Sequence, residues 1–182
     1  MTHLGPLARP ILAIDPGTTQ SGWCFLDGDR VIDSGVSPND DVLRHLQASR
    51  SGDCRVLAIE MIASYGMAVG REVFETCVWI GRFQQAWSDP TAVRRVYRQT
   101  VKLHLCKTAK AKDANIRQAL LDLFPATGGG KTPQIGTKGQ PGPLYGVSSH
   151  AWAALAVAVT VRDQTGSDPP AAVQGELLAE TT

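Results

Sequence analysis

Two short apolar runs, each closed by a carboxylate, constrain this chain more than any other feature. Ile11-Leu12-Ala13-Ile14 runs into Asp15, and Val56-Leu57-Ala58-Ile59 runs into Glu60. Runs this short and this uniformly apolar read as buried strands, the second lying beside the first. Neutral core packing requires no acid at either end. Two acids at neighbouring strand ends repel, and a hard divalent cation with oxygen ligands, such as Mg²⁺, relieves that repulsion. A third ligand has to come from elsewhere, and His150, after a long Gly-rich stretch and at the start of the last helix, is the candidate. Taken singly, Asp15 ahead of Pro16-Gly17 is a turn former and His150 a capping or buried residue; the three together carry the argument.

The remaining pattern surrounds these strands with helices. Gly22 to Leu26, the Asp27-Gly28 turn signal and Arg30 to Val36 continue the first strand into an antiparallel meander. Pro38 to Ala48 reads as a helix, with Ser37 as its cap and Pro38 at its first position. Val69 to Trp87 has helical spacing at Val73, Cys77, Ile80, Gln84 and Trp87. Val93 to Val101 alternates as a strand does, and Ala114 to Phe124 is an amphipathic helix capped by Asp113 and stopped by Pro125. Pro125 to Gly146 holds seven glycines and four prolines in 22 residues, so a long loop is expected there, and long loops are often functional. Val147 to Arg162 is a helix of small residues. Strands and helices alternate, which makes the class α/β.

Composition bounds the rest. The 182 residues, 43% of them hydrophobic and 19% charged, suit one domain with a full core and exclude wholesale disorder. The longest nearly uncharged apolar stretch, Ala151 to Val161, is too short to span a bilayer, so no membrane partner is expected. No secretory signal is read at the N-terminus. Cys24, Cys54, Cys77 and Cys106 form no C-x-x-C pair, which suits a reducing, cytoplasmic compartment. Net charge is only +1, but ten bases stand against two acids between Val93 and Lys138. Charge segregated in that way favours a polyanionic partner. Gly128-Gly129-Gly130-Lys131-Thr132 imitates the end of a phosphate-binding P-loop, but Pro125 stands where the pattern needs glycine and no strand immediately precedes it. No G-x-S-x-G elbow supports acyl transfer.

Ile11-Leu12-Ala13-Ile14-Asp15-Pro16-Gly17 followed by Leu57-Ala58-Ile59-Glu60 resembles the RuvC-type Holliday junction resolvases of the ribonuclease H-like superfamily. Arg98-Gln99-Thr100-Val101 and Lys112-Asp113-Ala114-Asn115-Ile116-Arg117 resemble that family's two phosphate-contacting stretches. His150-Ala151-Trp152-Ala153-Ala154-Leu155-Ala156-Val157-Ala158 looks like its last metal-binding helix. The resemblance spans residues 9 to 162 and implies a mixed five-stranded sheet with helices on both faces. A nuclease domain is therefore expected over 9–164, after an extension at 1–8; the tail at 165–182, acidic and without a base, reads as disordered from its own residues. Asp15-Pro16-Gly17-Thr18-Thr19 is similar, too, to the phosphate-binding turn of actin-like sugar kinases, but 182 residues do not supply their two domains.

The resemblance further implies a chemistry. Asp15 would bridge two Mg²⁺ or Mn²⁺ ions, Glu60 holding one and His150 the other, for hydrolysis of a phosphodiester to 5′-phosphate and 3′-hydroxyl ends. Arg98, Lys102, Lys110, Lys112 and Arg117 would contact DNA, with Tyr65 as an aromatic wedge. Two symmetric nicks in a four-way junction call for a C2 homodimer, with Val69 to Trp87 as the interface candidate. Where family members commonly carry a further aspartate, this chain has Ala153. That shorter ligand set, with Pro141-Gly142-Pro143-Leu144-Tyr145, looks like a phage-encoded branch and sets the compartment as a bacterial cell or phage-infected host. The alternatives are a junction-binding protein that does not cut, or a nuclease for flaps or forks.

Overall fold

The computed structural model describes residues 10–48, 56–64, 66 and 68–165. The extension expected at 1–8, Tyr65, Cys54 and all of the expected tail beyond Thr165 lie outside these residues. In chain order the elements are β1 (Ile11–Asp15), β2 (Gln20–Asp27), β3 (Arg30–Pro38), α1 (Asn39–Ala48), β4 (Val56–Met61), α2 (Arg71–Ala86), β5 (Arg94–Tyr97), α3 (Arg98–Cys106), α4 (Asp113–Leu123) and α5 (Ala151–Thr165). The sheet order is β3-β2-β1-β4-β5. β1, β2 and β3 pair antiparallel, while β4 runs parallel to β1 and β5 parallel to β4.

The uniform apolar runs follow from this order. β1 and β4 are inner strands with both faces covered, so every successive side chain needs an apolar partner. Ile11, Ala13 and Ala58 face a core built with α3, α4 and α5. Leu12, Ile14, Leu57 and Ile59 face the opposite layer, with Val42 and Leu46 of α1 and Ile80 and Phe83 of α2. α5 is apolar nearly all round because it is enclosed: Ala151 and every residue from Ala154 to Val161 are buried. Its alanines let it lie close on β1, β2 and β4. Among the described residues no helix is long and apolar enough to cross a membrane. Burial pushes the Cys24 thiol up to about 12, leaving it an inert core residue.

Several boundaries differ from the sequence expectation. β3 continues to Pro38, so Ser37 is no helix cap; its hydroxyl accepts the Trp23 indole N–H at 2.9 Å. Proline is tolerated because β3 is an edge strand and nothing beyond it needs the missing donor. The strand expected over Val93 to Val101 stops at Tyr97, and Arg98 begins α3. The tertiary core decides this: Val101 is fully buried against the α4–α5 layer, and a helix, not a strand, brings Leu105 onto the same cluster. Asp113 is the first residue of α4 and not its cap. Lys112 holds the cap position, its N–H bonded to Asn115 Oδ1 at 2.9 Å.

α5 begins at Ala151, after a turn that contains Ser148 to His150. α2 buries Thr76, Ile80 and Phe83 and leaves Phe74 and Val78 63% and 62% exposed. The segment from Pro125 to Gly146 has no helix or strand, as its composition predicts, yet it is tightly folded on itself. Gly128 N–H bonds Pro133 O at 2.8 Å, and Gly142 N–H bonds Ile135 O at 2.9 Å. Gly136 has φ +79, and a Cβ there would sit 2.2 Å from the Gly142 nitrogen, so glycine is required on both counts.

Candidate active site

Strand register places the two acids together. Ile14 pairs with Ile59, so Asp15 and Glu60 follow on adjacent parallel strands at the same sheet end. Such a carboxyl end is where open α/β sheets build their sites. The turn after Asp15 is held by buried Asn39, whose side-chain amide donates to Gly17 O at 3.0 Å while its Oδ1 accepts the Ser21 hydroxyl at 2.7 Å. Asn39 N–H also bonds Thr19 O at 3.0 Å. Asp15 is thus the last residue of a strand followed by a braced turn, and braced supports are what fix a functional side chain.

His150 arrives from the far end of the chain. Gly22, which pairs with Asp15 across β1 and β2, is the residue that admits it: a Cβ at Gly22 would lie 2.4 Å from the His150 carbonyl oxygen and 2.7 Å from its Cβ. Only bare backbone allows the chain before α5 to press onto the sheet there. His150 Nδ1 then stands 3.3 Å from Asp15 Oδ2. Ser149 just before it takes φ +46, the left-handed conformation that turns the chain into α5. Gly22→Ala is expected to cost about 2 kcal/mol of stability by overpacking and to displace His150 from Asp15. Urea denaturation and the loss of any His150-dependent activity check it. An unchanged midpoint would show that the contact yields freely.

Burial shapes the electrostatics. It pushes the Glu60 carboxyl up to about 8, with the Asp15 charge as the next cause, against an ordinary value of 4.5. Asp15 is raised by burial as well, opposed by His150 and Arg98. Arg98, the first residue of α3, sends its guanidinium between Glu60 Oε1, at 3.4 Å, and the Asp113 carboxylate, a short contact. Glu60 Oε2 is buried with no hydrogen-bond partner among the described residues. A buried carboxylate oxygen without a donor is a costly arrangement that an added ligand would relieve.

Asp15, Glu60, Arg98, Asp113, Arg117 and His150 line one cleft of about 640 Å³. Ala153, three residues after His150, lines it too, so a side chain at that position faces the same cleft. The Arg117 guanidinium stacks 4.7 Å over the Trp152 ring at the cleft wall. Of the bases expected to contact DNA, Arg98 and Arg117 are in the cleft. Lys102, Lys110 and Lys112 do not line it. No described residue of the long loop 125–146 lines it either, because that loop connects the far end of α4 back to α5.

Gly22, Asn39 and the carboxylate partner Asp113 were missed by sequence reasoning. A glycine inside a strand pattern was the available signal for the first; nothing local announced the other two. The described residues form no ready-made group of three or more His, Cys, Asp or Glu side chains placed to hold a metal ion. Asp15 and Glu60 nevertheless suit a hard cation in their chemistry: two carboxylates, both opposed by burial in their charged form, one with an unpartnered oxygen.

No family model and no curated protein matches this sequence. Solved structures do match. The Thermus thermophilus RuvC structure superposes with a TM-score of 0.59 at 19% identity, covering 87% of this chain and 97% of that one. T. thermophilus RuvC in complex with Holliday junction substrate gives 0.58 at 19%, covering 86% and 97%. With five mixed strands in the order β3-β2-β1-β4-β5 and helices on both faces, the chain has the ribonuclease H-like fold that RuvC has.

Proposed function

We propose that this chain is a metal-dependent, structure-selective endonuclease that resolves four-way DNA junctions by paired nicks, leaving 5′-phosphate and 3′-hydroxyl ends. The observation that carries the reading is the pair of neighbouring carboxylates, half-buried Asp15 and buried Glu60, with Glu60 Oε2 unpartnered among the described residues, in a cleft edged by Arg98 and Arg117. The neighbour solved with a Holliday junction substrate supports branched DNA as the ligand class. Asp15, Glu60 and His150 are the residues that would hold Mg²⁺ or Mn²⁺, up to two ions. When bound, such ions supply Lewis-acid polarisation of the phosphodiester and lower the pKa of attacking water.

The chain's own residues do the positioning. Asp15 and Glu60 offer carboxylate oxygens where a cation would collect, and a bound cation would favour the charged forms that burial opposes. His150 orients the Asp15 carboxylate through its 3.3 Å contact. Arg98 and Arg117 present guanidinium groups to backbone phosphates, for which their fork geometry is suited. Lys102, Lys110 and Lys112 extend the basic surface on α3 and before α4, and Tyr65 is our candidate wedge. Junction symmetry calls for a C2 homodimer, with the exposed Phe74 and Val78 of α2 as the apolar part of the shared face. We assign the chain to a phage-encoded branch acting in the cytoplasm of a bacterial cell or infected host.

Ala153 favours a second reading, a junction-binding protein that does not cut, because the cleft lacks an acid at a position that faces it. The deciding experiment incubates labelled four-way junction, flap, fork and linear duplex with the protein in Mg²⁺, Mn²⁺ or chelator. Paired symmetric nicks on the junction, lost in chelator, support resolution. Preference for flaps or forks narrows the enzyme to another branched substrate. Tight junction binding with no cut in either metal overturns the nuclease reading in favour of the binding one.

A further inference from the structure

Arg98 is shared between two unlike carboxylates. Its close contact is with Asp113, which is 85% exposed; its longer one, at 3.4 Å, is with Glu60, which is 10% exposed. Here the exposed partner has the tighter hold. Asp113 can take it because α4 begins at that residue and α3 begins at Arg98, which puts both side chains on the rim of one cleft. Arg98 reaches only Oε1 of Glu60, and Oε2 has no hydrogen-bond partner among the described residues.

We propose that Asp113 is a positioning residue that parks Arg98. In the DNA-free protein it holds the guanidinium back from Glu60, keeping that carboxylate open to a divalent cation, and it yields the guanidinium to a backbone phosphate when DNA enters. The inference rests on reading the cleft as a metal-dependent DNA site. Release is easy because exposed ion pairs are weak and screened by salt. A backbone phosphate competes for the guanidinium because it accepts the same two-pronged contact that a carboxylate does. The rival role for Asp113 is local: an acid in the first turn of α4 also favours the helix N-terminus, and that role does not involve Arg98.

A double-mutant cycle separates the two. Asp113→Asn, Arg98→Ala, the pair together and Asp113→Glu are titrated with Mn²⁺ by calorimetry without DNA, and with four-way junction in chelator by fluorescence anisotropy. Asp113→Asn is expected to weaken Mn²⁺ binding about fivefold and to tighten junction binding about threefold. Both effects should vanish in the Arg98→Ala background, and Asp113→Glu should restore the unaltered behaviour. Equal effects in the two backgrounds would assign Asp113 to the helix terminus or to direct cation contact and overturn the inference alone, as would no effect in either. An unaltered chain that binds neither Mn²⁺ nor junction would instead overturn the functional reading, and the inference with it.

Discussion

Asp15→Asn is expected to reduce junction cleavage by on the order of a thousandfold while junction binding in chelator stays intact or tightens. The substitution keeps shape, so β1 and the turn braced by Asn39 should be undisturbed, and Asn still offers an oxygen to His150 at the site of the 3.3 Å contact. What it removes is the charge that sits centrally between Glu60 and His150. In the metal-free cleft that charge repels a phosphate, so its loss cannot weaken DNA binding; only with a cation does it become productive. Single-turnover cleavage in saturating Mn²⁺ and mobility shift in chelator check the two halves. Loss of binding together with cleavage, under conditions where the melting transition is unchanged, would remove Asp15 from the catalytic role.

Glu60→Gln is expected to abolish cleavage and, in chelator, to stabilise the protein at alkaline pH. The folded-state pKa of Glu60 is pushed up to about 8 by burial and then by the Asp15 charge, against an ordinary 4.5. Between those values the folded chain keeps a proton that the unfolded chain has lost. The stability carried by the neutral carboxyl is therefore full below about pH 4.5 and is lost as pH rises through about 8. Glutamine has no proton to lose. The two proteins should be equally stable near pH 4.5 and differ by on the order of 3 kcal/mol at about pH 9, the variant being the more stable. Urea unfolding across that range gives the difference curve directly, since the other titrating groups appear in both. Mn²⁺ at alkaline pH should restore stability to the unaltered chain and leave the variant where it was. A flat difference curve would mean that Glu60 is solvated and does not feel Asp15.

The strand ends show how far local sequence reaches. Ile11 to Asp15 and Val56 to Glu60 are legible because a strand buried on both faces must be apolar throughout, and an acid at its end is then conspicuous. The helix α3 was not legible, because Arg98 to Cys106 follows a real strand without punctuation and its two decisive positions, Val101 and Leu105, acquire meaning only against α5. Asp113 carried a plausible local role, the cap of α4, which hid its non-local one. Its true partner, Arg98, lies 15 residues away at the start of another helix.

The sequence by itself determined the α/β class, the two acids, the late histidine and the concentration of bases between Val93 and Lys138. Each is a property of short windows, of periodicity or of charge, which depend only on neighbours along the chain. Tertiary structure alone decided that Gly22 opens the sheet to His150, that Asn39 braces the turn after Asp15, and that Arg98 is divided between Glu60 and Asp113. It also decided that the long glycine-rich loop does not line the cleft and that, among the described residues expected to contact DNA, Arg98 and Arg117 enter it while Lys102, Lys110 and Lys112 do not. These are contacts between segments far apart in sequence. They are set by strand order and by how closely backbones approach, quantities that no local pattern encodes.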